Sequence, residues 1–225
     1  MSTSGDRLVS KVAGAAIAAL FKRSEKAEAN IRVEPVAKLL QGSIDGFDFV
    51  GKGMLMYNGL RIEVMELYLQ ALSIDFGAIF AGQVKLRQPT QANMRVVLSR
   101  SDLTTSFNTP FVVEKLQKLK YQEQSLHFLN TEVSFGTDKS IRLQSEITIG
   151  QDSEPVKIDI TAQLQVEDRR KIQFVSVTYG VNNLLDLDKF ALEGTQLRVD
   201  RCRVQNDELV FYGWAGIEQF PKGKR

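Results

Sequence analysis

From Val156 to Glu167 apolar and polar residues alternate without an error, Val156, Ile158, Ile160, Ala162, Leu164 and Val166 on one side and Lys157, Asp159, Thr161, Gln163, Gln165 and Glu167 on the other. A period of two is the mark of a strand with one buried face. Ile141, Leu143, Ile147 and Ile149 alternate in the same way with Arg142, Gln144, Glu146 and Thr148. The turn residues Gly150 to Pro155 lie between the two runs, so they predict a long antiparallel hairpin with one apolar side. Ile172–Tyr179 continues the meander after a turn at Asp168-Arg169-Arg170, and Leu197–Val204 with Glu208–Ala215 forms a last hairpin around Asn206-Asp207. Upstream, Ile44–Met56 and Leu60–Phe76 flank Asn58-Gly59, a strong hairpin signal. Ala92, Met94, Val96 and Leu98 mark a further half-buried strand. Ile31 and Val33 mark a short one after a polar break at Ser24–Asn30.

Helical patterning is sparse. Between Ser99 and Lys120, Thr109 is placed to cap a helix whose first residue is Pro110, where the missing N–H costs nothing. Val112, Leu116 and Leu119 then share a face at i, i+4 and i+7, and Leu103 and Phe107 form a shorter pair just before it. Val36–Leu40 reads as one helical turn closed by Gly42, Phe76–Ala81 as another, and Val181–Phe190 as a possible third segment with helical pattern. Leu8–Phe21 is apolar but spans only 14 residues and contains Lys11, against about 20 for a bilayer-crossing helix. Lys22-Arg23 follows it where a secretory signal would carry small residues. Two readings of this helix stand: packing on its own domain, or lying in a membrane interface aided by Arg7, Lys11, Lys22, Arg23 and Lys26.

Strands of eight to eleven residues exceed the usual length of about 5–6, and long one-sided strands need a long apolar cover. The helices are few. Either the sheet curls around a helix and closes on itself, or an apolar ligand covers part of its inner face. No repeat or linker divides the chain, which gives residues 1–24 as an N-terminal amphipathic helix, 25–220 as one domain and 221–225 as a loose tail.

At 225 residues, 43% hydrophobic and 25% charged, the composition is that of an ordinary globular protein. The net charge of +2, from 29 basic and 27 acidic residues with the signs interspersed, offers no long basic face for nucleic acid. One cysteine, Cys202, excludes an internal disulfide, and with one histidine, His127, it leaves no zinc set and no support for a nucleophilic triad. Alternation turns His127, between Leu126 and Phe128, away from the apolar face. The carboxylate pairs Asp45/Asp48, Glu63/Glu66, Glu167/Asp168 and Asp186/Asp188 match no calcium loop and read as solvated or capping groups. Gly46 to Gly53 matches a P-loop as far as Lys52, but Gly53 stands where the magnesium-binding hydroxyl belongs. The basic turn Arg169-Arg170-Lys171 and the arginines Arg198, Arg201 and Arg203 read as solvated charge, with docking to anionic headgroups as the alternative.

Three segments together carry a resemblance. They are Y-N-G-L-R-I-E-V-M-E-L-Y-L-Q-A-L-S-I-D-F-G-A-I-F-A-G (Tyr57–Gly82), L-S-R-S-D-L-T-T-S-F-N-T-P (Leu98–Pro110) and L-E-G-T-Q-L-R-V-D-R-C-R-V (Leu192–Val204). In their order the chain resembles the LmeA-like phospholipid-binding family, most closely its photosynthetic-bacterial branch, over roughly residues 30 to 220. The resemblance implies an α+β fold with a long, strongly curved antiparallel β-sheet wrapped around a few helices, similar to half-barrels of the bactericidal/permeability-increasing type. It also implies phospholipid binding without catalysis, and no cofactor.

The expected function is therefore non-enzymatic binding of a phospholipid or another acyl-chain ligand in an apolar groove between sheet and helices. Phe80, Leu103, Phe107, Val112, Leu116 and Leu119 are expected to line it. Lys11, Lys22, Arg23, Arg169, Arg170 and Lys171 are expected to meet headgroups or a membrane surface. The expected location is cytoplasmic, extending to the inner face of a membrane. The alternative is a peripheral scaffold that docks a partner protein and has a filled interior.

Overall fold

The computed structural model describes residues 10–11, 14, 21–35, 37–75, 77–78, 85–117, 120–121, 124–150, 154–176, 182–186 and 195–218. Strands β1 (Phe21–Arg23) and β2 (Lys26–Arg32) lead to a one-turn helix α1 (Ala37–Leu40), then β3 (Ser43–Ile44), β4 (Gly46–Met56), β5 (Arg61–Leu69), β6 (Leu72–Ser73) and β7 (Thr90–Ser99). Two helices follow, α2 (Arg100–Phe107) and α3 (Pro110–Leu116). A run of strands comes next: β8 (Lys120–Tyr121), β9 (Gln124–Phe135), β10 (Ile141–Ile149), β11 (Val156–Glu167), β12 (Lys171–Ser176) and β13 (Asn182–Asp186). The hairpin β14 (Thr195–Gln205) and β15 (Glu208–Ile217) ends the described chain.

The fold is mostly antiparallel strand with a half-barrel sheet, but the strands form two large sheets rather than one. The first runs β1-β4-β5-β7-β15-β14, with β2 also on the edge of β4; the second runs β13-β12-β11-β10-β9-β8; β3 and β6 make a small ribbon. The turns follow local chemistry. Asn206 and Asp207 both have positive φ, 53° and 61°, which suits the tight β14–β15 hairpin because primed turns match the twist of the strands. Asp168 and Arg169, at 50° and 57°, do the same between β11 and β12.

The inner face of the first sheet carries the largest core, built on Phe47, Phe49, Leu69, Ala92, Met94 and Ile217 and closed by Ile44, Leu72 and Ile74 from the β3–β6 region. A second core joins the sheets, bringing Leu103 of α2 against Val133, Ile141 and Ala162 of the second sheet and Val204 and Leu209 of the first. Ile172 and Val199 extend this contact where β11 meets β14.

Several expectations change. The helical stretch is two helices, because Asn108 and Thr109 end one and cap the next. The segment read as helical over Val181–Phe190 is strand at Asn182–Asp186, paired with β12; an available sheet edge outweighs weak local preference. Its remaining residues lie outside the described ones. Ser24–Asn30 is not a break, since β2 starts at Lys26 and pairs along β4. Phe21–Arg23 is strand, which shortens the expected N-terminal helix at its end. Of that helix only Ser10, Lys11 and Gly14 are described, with helical backbone, and the Ile31 N–H donates to Ser10 Oγ at 3.1 Å. Of Phe76–Ala81, Gly77 and Ala78 are helical and the rest lies outside the described residues, as does the tail 221–225.

Candidate functional site

The site is built where α2 and α3 meet the edge of β9. Ser99 caps α2 through a reciprocal box: the Asp102 N–H donates to Ser99 Oγ at 3.1 Å, and the Ser99 N–H donates to Asp102 Oδ2 at 3.1 Å. The same buried carboxylate accepts from Arg61 Nε at 3.1 Å, and Ser106 Oγ accepts from the Arg61 N–H at 3.1 Å. Asp102 and Ser106, one turn apart, thereby fasten the helix to the first sheet. Thr104 and Asn108, one turn apart on another side, fasten it to the second. Asn108 Nδ2 donates to the Thr131 carbonyl at 2.7 Å, the Thr131 N–H donates to Asn108 Oδ1 at 2.9 Å, and the Val133 N–H donates to Thr104 Oγ1 at 3.0 Å. Two side chains thus serve a strand edge whose backbone groups would otherwise seek another strand.

Next to this junction the second sheet's inner face divides into two halves. Cross-strand partners share a face, and the register sets Leu126 beside Ile149, Phe128 beside Ile147, and Ile147 beside Val156. Ile158 lies opposite Ser145, two residues along. These six apolar residues are outside the cores that hold the sheets together. Leu126, Phe128, Ile147, Ile149 and Ile158 are half-buried and Val156 is 52% exposed. The other half, toward Val133, Ile141 and Ala162, is packed shut. Helix α3 packs along β9, with Val112 buried and Phe111, Val113 and Leu116 half-buried. Neighbouring strands β9 to β11 thus carry half-buried apolar residues on one face, with α3 packed on β9.

At the inner limit of that face sit two buried hydroxyls. Thr131 Oγ1 and Ser145 Oγ lie 2.9 Å apart, and Ser145 Oγ donates to the Leu129 carbonyl at 2.9 Å. The register shifts here, between Gln144 and Glu146, and Asn130 takes a φ of 50°. A bulge leaves local backbone groups out of the ladder, and the serine hydroxyl meets one of them.

The expected lining residues divide accordingly. Leu103 is in the core between the sheets and Phe107 packs against it, so both are covered by the chain's own residues. Val112 is buried, Leu116 is half-buried beside β9, and Phe80 and Leu119 lie outside the described residues. The floor residues on β9–β11 were not picked out, although the surplus of apolar strand face was their signal.

The expected headgroup residues do not form one cluster. Lys22 and Arg23 are exposed on β1, at the edge of the first sheet, and Lys11 is exposed on the segment before it. Arg169 and Arg170 are exposed in the β11–β12 turn and Lys171 is half-buried. Arg169 is paired with Asp200 of β14, and its carbonyl accepts from the Val199 N–H at 2.8 Å. From Val156 to Glu167, β11 runs about 36 Å at 3.3 Å per residue, which puts the basic turn at the far end from the open apolar half.

Reactive groups are elsewhere or quiet. Burial pushes the Cys202 thiol up to about 12, so it stays protonated and unreactive at neutral pH. On the outer face of the second sheet the Arg142 guanidinium, by hydrogen bond, holds Asp159 below the usual carboxylate range. Among the described residues no group of three or more His, Cys, Asp or Glu is arranged to hold a metal ion. None of their helices is long and apolar enough to cross a membrane.

A family model described as LmeA-like phospholipid-binding matches residues 4–213. The chain belongs to that family. The matched stretch takes in both sheets, α2, α3 and the junction between them, and ends within β15. No curated protein and no solved structure matches this LmeA-like chain.

Proposed function

We propose that the protein binds a phospholipid non-enzymatically by laying an acyl chain on the open half of the second sheet, beside α3. The observation that carries this reading is the unequal cover of one apolar face: Leu126, Phe128, Ile147, Ile149, Val156 and Ile158 continue the pattern of the packed half without packing into it. A contiguous run of half-buried apolar residues ending at the exposed Val156 is a candidate binding surface, and membership of a phospholipid-binding family names the ligand class. Leu116 and Val112 of α3 form its wall, with Phe80 and Leu119 assigned to it by sequence. Leu103 and Phe107 lie beyond its inner limit, in the core between the sheets. Each methylene laid on such a surface contributes about 0.8 kcal/mol, so affinity needs no special polar residue. Contact with a membrane surface follows from the ligand, with Lys11, Lys22 and Arg23 as the exposed basic groups for anionic headgroups, whereas Arg169, Arg170 and Lys171 lie at the far end of β11 from the acyl face.

The test is lipid extraction and native mass spectrometry of the purified chain, with Ile147→Glu beside it. The chain is expected to carry phospholipid and to bind liposomes. The variant, changed at a half-open position, should fold and lose at least tenfold in lipid binding. A lipid-free chain that ignores liposomes but holds a protein partner would favour the scaffold reading instead.

A further inference from the structure

The open face has a measurable length. Along β10 it runs from Ile149 to Ser145, where the Thr131–Ser145 hydroxyl pair crosses it. Beyond the pair, Leu143 packs against the core formed by Leu103, Val133, Ile141 and Ala162. Four residues of strand advance about 13 Å. A saturated chain with C–C bonds of about 1.5 Å at tetrahedral angles advances roughly 1.25 Å per carbon, so about ten carbons fit in that span.

We propose that Thr131 and Ser145, backed by Leu143, are the acyl-chain stop of this site. This rests on the acyl-binding reading above and adds what that reading leaves open, the length of chain accepted. The physical reason is the state of the two hydroxyls. They are buried and bonded to each other and to the Leu129 carbonyl, so a methyl end that displaced them would break satisfied hydrogen bonds in a dry setting. A chain end that reaches them gains nothing by going further. Only the terminal ten or so carbons of one tail are held, and the rest of a common phospholipid stays outside the protein. The site therefore grips a lipid that remains partly in its bilayer and does not enclose it whole.

The full chain is titrated calorimetrically with saturated lysophosphatidylcholines of about 6 to 16 carbons, each below its micelle concentration. Affinity is expected to rise about fourfold per added carbon up to about ten carbons and then to stay level. A rise that continues to the longest chain, or a plateau well short of eight carbons, overturns the stop while leaving acyl binding standing. Absence of binding at every length overturns the acyl-binding reading, and the stop with it. Ser145→Ala together with Leu143→Ala, which removes the hydroxyl pair and the side chain behind it, should move the plateau to longer chains. An unmoved plateau in the folded variant overturns the assignment of the stop to these residues. If that variant does not fold, the chain-length series on the native sequence decides alone.

Discussion

Asp102 is buried, yet each of its oxygens has a partner: Oδ1 takes Arg61 and Oδ2 takes the Ser99 N–H and hydroxyl. It is the middle residue of the S-D-L motif, and its position explains the motif. Ser99, three residues before it, caps the helix through it, the carboxylate joins helix to sheet, and Leu103 enters the core. Asp102→Ala removes the capping partner and leaves Arg61 to solvent, which should cost about 2–3 kcal/mol in urea unfolding. A loss below about 0.5 kcal/mol would show that the junction is held by apolar contacts alone. Cys202 gives a second residue-level expectation. Its thiol is raised from 9.0 to about 12 by burial, so in that pH window the folded chain keeps a proton that the unfolded chain has released. Stability therefore falls as pH rises from about 9 toward 12. Alkylation by iodoacetamide at pH 8 should be slow in buffer and fast in denaturant; equal rates would contradict a buried thiol.

Strand β9 shows how an element escapes a pattern reading. Its inward residues are Leu126 and Phe128 before the bulge and Val133 and Phe135 after it. The extra residue at Asn130–Thr131 switches the phase from even to odd positions, and the alternation is lost to any rule with a fixed period. β2 escaped for a different reason, because its inward residues before Ile31 are Ala27 and Ala29, small enough to read as polar surroundings. β10 and β11 were legible because neither difficulty arises there, and the Thr109–Pro110 start of α3 because capping is a local matter. Helical spacing shows that Leu103 is buried but not that the chain's own sheets do the burying. The edge contact has its own consequence. Asn108→Ala removes both bonds to Thr131 and should cost about 1–3 kcal/mol, with faster hydrogen exchange at the Thr131 amide and little change at Val97 in the first sheet. Uniform acceleration across both sheets would mean that the edge is not a separate unit.

At the scale of the molecule the two sheets do different work. The first is filled from edge to edge by its own large core and the β3–β6 ribbon, while the second is half filled and supplies the proposed binding face. The junction at α2 separates the two roles. Substitutions on the open half, such as Ile147→Glu, are expected to change binding with little effect on unfolding, and substitutions in the packed half, such as Ile141→Ala, to cost about 2–5 kcal/mol.

The order of strands has a consequence for how the chain is made. β7 pairs with β15, yet the whole second sheet lies between them in sequence. During synthesis β7 must wait, one edge bare, until more than a hundred residues have emerged (Arg100 to Glu208), whereas β9 to β13 can pair with their neighbours as they appear. The nascent protein should therefore complete its second sheet before its first. A chain stopped short of the last hairpin would emerge with its second sheet paired and its first open along β7.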